Sequence, residues 1–194
     1  MKIWRTLRPW IVVFGIWGIL KYTGLLSSIS GAAGSALMKS GLMDYTPDAD
    51  ASTKRSFNYN FKIQDLEGNT VDFNQFRGKV IFLNLWATWC GPCRAEMPSI
   101  QALYKRVDHD SIAFVMLSLD DSQNTNKVMK YVNDKAFSFP VYMRSGGLPS
   151  QLQVSSIPTT FVIDEDGKIV SKKVGAANYD NDEFQKFLED LAIR

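Results

Sequence analysis

Only two residues of this 194-residue chain are cysteines, and they stand two residues apart in Trp89-Cys90-Gly91-Pro92-Cys93. Such a pair can exchange electrons as dithiol and disulfide, hold part of a metal site, or staple a loop. Closing so short a loop removes little chain entropy, so a staple would add little stability. Structural zinc takes four ligands. The chain offers one cysteine pair and one histidine, His109, in the charged turn 105–111, where it reads as a solvated loop residue. Redox exchange is the leading reading. A Cu(I)- or Zn(II)-binding thiol module is the alternative from another class, because soft thiolates suit Cu(I).

Exchange needs a thiolate, and a free cysteine ionises only near pH 8.5. The N-terminus of a helix lowers that value through its unpaired N–H groups and its dipole. Cys90 sits between an apolar run, residues 79–87, and a segment in which Ile100, Leu103, Tyr104 and Val107 recur at helical spacing. Pro92 fits a first helical turn, where its missing N–H costs nothing. Gly91 gives the turn freedom and leaves the sulfur accessible. Position then assigns the roles: Cys90 is the nucleophile, and the more buried Cys93 resolves the mixed disulfide. Pro98, inside the same helix, removes a hydrogen bond and should kink the axis.

The elements that must hold this pair follow along the chain. Residues 57–73 alternate and turn at Glu67-Gly68-Asn69, which predicts a β-hairpin. The runs 79–87 and 112–120 are nearly unbroken apolar strands, as expected of strands covered on both faces. A helix at 126–136, a short strand at 139–143 and a strand–turn–strand at 159–175, with its turn at Asp166-Gly167, come next. A last helix places Phe184, Phe187, Leu188 and Leu191 on one stripe, with Asp180 and Glu183 spaced as a capping box. The succession βαβαβ, β-hairpin, helix predicts a mixed sheet with helices on both faces.

With "WCGPC" after an apolar strand and Pro98 five residues beyond Cys93, the chain resembles the thioredoxin superfamily. Residues 61–104 resemble more closely the exported TlpA/ResA-like thiol–disulfide oxidoreductases, and residues 155–170 resemble the segment carrying the superfamily's cis-proline. The resemblance covers about 57–194. It implies an α/β thioredoxin-like fold with an added N-terminal β-hairpin and a central αβ insertion, which Asp121–Met143 fits. It implies that Pro158 is the cis-proline facing the cysteines, with Ile157 before it contacting the bound partner. Thr159 is a further candidate partner contact, and Trp89, a large ring beside the nucleophile, offers a flat one. It also implies that Glu96 lies near the pair and helps proton movement; on a first helical turn, a glutamate would otherwise merely compensate the helix dipole. Thioredoxin carries a buried aspartate six residues before the first cysteine. Asn84 stands there and cannot take a proton, so a carboxylate role falls to Glu96.

Net charge is +2, from 22 basic and 20 acidic residues, with no basic block or aromatic-interleaved patch, so nucleic acid is not an expected partner. The N-terminus differs in kind. Lys2, Arg5 and Arg8 precede an uncharged apolar run from Pro9 to Leu20, and after Lys21 no charge occurs until Lys39. Residues 1–38 are expected to anchor the chain in a membrane, with positive charge inside and the remainder exported. A spanning helix needs about 20 apolar residues, so Lys21 must be tolerated. The alternative is a cleaved signal peptide, for which residues 30–36 supply small side chains, though rather far from the apolar run. Residues 39–56 read as a flexible tether and 57–194 as the folded domain.

Together these readings predict an extracytoplasmic thiol–disulfide oxidoreductase on a bacterial-type inner membrane, or secreted if the leader is cleaved. The Gly-Pro dipeptide resembles that of reducing thioredoxins and favours a reductase. No cofactor or metal is expected beyond the redox-active Cys90–Cys93 disulfide. By resemblance, the electron donor is a transmembrane thiol carrier and the clients are disulfide-bearing exported proteins such as apocytochromes c. A peroxiredoxin-like peroxidase is the rival enzyme reading.

Overall fold

The computed structural model of the chain describes Trp10, residues 43–46 and residues 55–193. The expected anchor, 1–38, lies outside these residues except for Trp10. Among the described residues, no helix is long and apolar enough to cross a membrane.

Eight strands form one mixed sheet: β1 (Arg55–Ser56), β2 (Lys62–Asp65), β3 (Thr70–Asp72), β4 (Val80–Trp86), β5 (Ile112–Ser118), β6 (Val141–Arg144), β7 (Thr159–Ile163) and β8 (Lys168–Val174). Their order across the sheet is β1-β8-β7-β4-β5-β6-β2-β3. Among the described residues, three whole α-helices accompany them: α1 (Gly91–Tyr104), α2 (Thr125–Asp134) and α3 (Asp182–Leu191). The hairpin β2–β3 joins the sheet through β6, which α2 connects to β5, so hairpin and αβ unit extend the same edge.

The apolar run of β4 becomes the central strand, with all seven residues buried. It runs parallel to β5 and antiparallel to β7. The two parallel crossovers, β4-α1-β5 and β5-α2-β6, step the same way across the sheet. Right-handed crossovers in one direction put both helices on the same face.

That corrects the expectation of helices on both faces. Met97, Ile100 and Leu103 of α1, Val128 and Val132 of α2, and Phe184, Leu188 and Leu191 of α3 share one core with Phe82 and Trp86 of β4. The opposite face, built on Ile81, Leu83 and Leu85, carries no α-helix among the described residues. Phe57, Tyr59, Phe73, Phe76 and Leu152 cover it, and two 3-10 turns, Phe73–Phe76 and Ser150–Leu152, supply three of these. Phe61 stacks on Phe73 with ring centroids 4.4 Å apart. Burial of each such large apolar side chain contributes about 1.5–3 kcal/mol, so this aromatic layer can replace a helix.

Two local expectations also change. The cap of α3 is Asn181, whose Oδ1 accepts from the Phe184 N–H at 2.8 Å; Asp180 instead pairs with Arg106 at 2.9 Å. And the stretch read as a free tether, 39–56, holds two docked pieces. Arg55–Ser56 pair with β8, and Tyr45 is buried beside Tyr179 and Phe184.

Candidate active site

Strand β4 ends at Trp86, and a short turn delivers the chain to α1 with Cys90 as its N-cap. Gly91 and Pro92 fill the first helical positions. Cys90 and Cys93 form a disulfide with their Cα atoms 5.3 Å apart, and the Cys93 N–H donates to Cys90 Sγ at 3.2 Å. Cys90 retains 6% exposure and Cys93 none, so only the first sulfur can be reached from outside. Once reduced, Cys90 keeps a helix-terminal N–H aimed at its sulfur, the arrangement that favours a thiolate.

The loop before β7 closes over the pair. The Ile157–Pro158 peptide is cis, and the Ile157 carbonyl oxygen lies 3.8 Å from Cys90 Sγ. Ile157 is half-buried and Trp89 is 66% exposed, which makes Trp89 an open ring beside the nucleophile. Thr159 differs from the expectation of a partner contact. Its side chain is fully buried and its hydroxyl donates to the Ser156 carbonyl at 2.8 Å, bracing the loop from beneath. Pro98 lies inside α1, on its exposed side.

Glu96 is the sixth residue of α1, one turn beyond Cys93 and completely buried. It therefore does not compensate the dipole in the first turn. Its Oε1 accepts from Asn84 Nδ2 at 2.8 Å and its Oε2 from the Ala177 N–H at 3.2 Å. Burial pushes the carboxyl up from the ordinary 4.5 to about 8, against the lowering effect of those two donors. Asn84 occupies the place where thioredoxin has its aspartate, and here it holds the carboxylate instead.

Sequence reasoning missed the rest of this network. Asn84 faces Thr160 across the β4–β7 register, and its Nδ2 also donates to Thr160 Oγ1 at 2.9 Å. The Tyr179 hydroxyl bonds the same Oγ1 at 2.7 Å. Tyr179 is itself held well above the usual phenol range, first by burial and then by the charge of Glu96. One signal was available: Asn84 is the lone polar residue in the apolar run of β4, and a buried amide needs partners. Asp120, just after β5, was missed too. Its carboxylate accepts from the Thr88 N–H and hydroxyl at 2.8 and 2.7 Å and from the Ser118 hydroxyl at 2.8 Å, and so pins the turn that presents Trp89 and Cys90. His109 is exposed and stacks on Tyr104, away from these groups.

The profile of the Redoxin family matches residues 50–191. The chain belongs to the Redoxin family. Its redoxin domain is similar to the thiol-disulfide oxidoreductase ResA of Bacillus thuringiensis (strain Al Hakam), with 36% identity over 117 residues. That match takes in 60% of this chain and 66% of ResA, just under two thirds of the relative's length. The thioredoxin-like protein YneN of Bacillus subtilis is 34% identical over 116 residues, 59% of this chain and 68% of YneN. The crystal structure of StoA from Bacillus subtilis overlays with a TM-score of 0.53 at 28% identity, covering 68% of this chain and 94% of StoA. The architecture is thus a thioredoxin-like α/β fold, with the redoxin disulfide at the N-terminus of α1.

Proposed function

We propose that this redoxin is a membrane-tethered, extracytoplasmic thiol–disulfide oxidoreductase that reduces disulfides in exported proteins. What supports the reading is the asymmetry of the pair: one sulfur reachable at a helix N-terminus, the other sealed behind it, and a buried carboxyl one turn further on.

The Cys90 thiolate attacks a client disulfide, forming one S–S bond and releasing one client sulfur as a thiolate. Cys93, deprotonated, then attacks Cys90 Sγ and releases the second client thiolate. Two electrons pass from the pair to the client, and the Cys90–Cys93 disulfide remains. A carboxyl that titrates near pH 8 holds its proton at neutral pH, and it becomes an acceptor for the Cys93 proton as pH rises through that value. A dithiol donor must restore the thiols, and a transmembrane thiol carrier would reach the domain from the membrane side. The backbone around Ile157 offers a client an extended partner for strand addition, and Trp89 offers a flat apolar contact. Apocytochromes c fit the client class, as do other exported proteins with a reducible disulfide.

The test is trapping in intact cells. Cys93→Ser should accumulate a mixed disulfide through Cys90, because the resolving step is lost, and the captured proteins identify client and direction together. Equal trapping by Cys90→Ser overturns the assignment of roles.

A further inference from the structure

Residues 177–179 face two ways. On the inner side, the Ala177 N–H donates to Glu96 Oε2 at 3.2 Å. The Tyr179 N–H reaches Ser99 Oγ at 3.2 Å, and Ser99 in turn donates to the Glu96 carbonyl at 2.7 Å. The Tyr179 hydroxyl meets Thr160, which shares Asn84 with Glu96. Ala177 and Tyr179, on either side of Asn178, thus grip one buried glutamate through its carboxylate, its backbone and its amide partner.

On the outer side, the same residues carry a piece of the N-terminal stretch. Asn178 forms a parallel bridge with Asp44. The Tyr45 N–H donates to the Asn178 carbonyl at 3.0 Å, and the Asn178 N–H to the Met43 carbonyl at 2.7 Å. The Asn178 side chain pairs with Asp44, and Asn181 Nδ2 reaches the Tyr45 carbonyl at 3.4 Å. The Tyr45 ring packs edge-on against Tyr179 and Phe184, with centroids 5.9 and 5.4 Å away, and its hydroxyl bonds Ser171. The Lys173 ammonium sits 5.5 Å from the ring centroid.

We propose that Met43–Thr46 is a positioning strap for the redox centre: docked on Asn178, it holds residues 177–179 against Glu96 and so sets the environment of that carboxyl. Its consequence for exchange rests on the reading that Glu96 serves the cysteine pair. Among the described residues, the strap is tied by the buried Tyr45 ring and by hydrogen bonds to Asn178, Asn181 and Ser171, and a segment held by such local ties can open without global unfolding. Because it lies between residues 1–42 and the domain, a pull or contact on the N-terminal stretch reaches the redox site through it.

The groups facing Glu96 are few. On helix α1, Cys93 stands one turn before Glu96 and does not titrate in the disulfide. Strands β4 and β7 contribute the neutral Asn84 and Thr160, and the bracket contributes Tyr179. None is a cation. Release of the bracket therefore acts on Glu96 mainly by admitting water, which relieves the burial that raises its titration.

The experiment is a carbon-13 carboxyl titration of the oxidised full-length chain, with the Glu96 signal assigned by its loss in Glu96→Gln. In Tyr45→Ala the Glu96 midpoint should fall by about one pH unit. Tyr45→Phe, which keeps the ring and the backbone pairing, should leave it in place. An unchanged midpoint in Tyr45→Ala overturns the proposal, whereas loss of stability alone does not move it. The pH profile of thiol exchange is read on the same variants. If the carboxyl midpoint moves and the exchange profile does not, the strap stands and the catalytic role of Glu96 fails. Should Tyr45→Ala not fold, amide exchange in the unaltered chain decides. The Tyr45, Asn178 and Ala177 N–H groups must open as one unit, and an Ala177 amide that exchanges independently of Tyr45 overturns the proposal.

Discussion

Glu96 makes the stability of this domain depend on pH in a direction opposite to that of most carboxylates. Its titration rises from 4.5 in the unfolded chain to about 8 in the folded one, because burial favours the neutral form. Between those values the native state binds a proton that the unfolded state has lost, so stability falls as pH rises. The stability linked to this group is fully present below pH 4.5 and is lost as pH rises through about 8. A span of about 3.5 pH units at about 1.4 kcal/mol per unit gives about 5 kcal/mol in all. Of this, about 3–4 kcal/mol falls between pH 5 and pH 8. Glu96→Gln removes the titration and keeps the shape. The assay is urea unfolding of residues 43–194 in the oxidised state at both pH values, followed through the buried Trp86. Wild type should lose about 3–4 kcal/mol more than Glu96→Gln over that interval, since the remaining groups titrate alike in both. Equal pH dependence in the two proteins would refute the reasoning, because Glu96 would then ionise in the folded state as easily as in water.

Two further substitutions probe the frame around the site. Asp120→Ala leaves the buried Thr88 N–H without its acceptor, so stability should drop by about 1–3 kcal/mol, and the amides of Thr88 and Trp89 should exchange faster. Exchange at wild-type rates would show that Asp120 does not hold the turn before Cys90. Gly167, at φ +78°, takes a left-handed conformation in the β7–β8 turn, and a Cβ there would stand 3.1 Å from the Tyr59 ring. Gly167→Ala should therefore cost about 1–2 kcal/mol, measured by the same unfolding assay. A neutral result would mean that the turn relaxes freely.

The site works by division of labour between two kinds of support. The helix terminus acts on Cys90 from directly beneath, through a bond made within α1. The Glu96 carboxyl is fixed by other elements: β4 through Asn84, β7 through Thr160 behind that amide, and the stretch before α3 through Ala177. Thr159 and Asp120 touch neither sulfur. They brace the two loops, one on each side of the disulfide, that present Ile157 and Trp89.

By itself the sequence determined what local order can determine. An apolar run, a turn with Gly91 and Pro92, and an apolar stripe at helical spacing suffice to put Cys90 at a helix start and Cys93 one turn inside, because these relations depend on neighbours in the chain. The hairpin turn at Glu67-Gly68-Asn69 was legible for the same reason. Only tertiary structure decided the character of Glu96. Its partners lie 12 and 81 residues away, and they meet it because the β4–β7 register sets Asn84 beside Thr160 and the stretch before α3 returns along α1. The placement of α1 and α2 on one face likewise followed from the direction of two successive crossovers. Tyr45 looked like part of a polar linker, and what buries it is a surface assembled from β8, Tyr179 and Phe184. Burial and hydrogen bonding at these places are properties of distant segments brought together, and no window of the chain contains them.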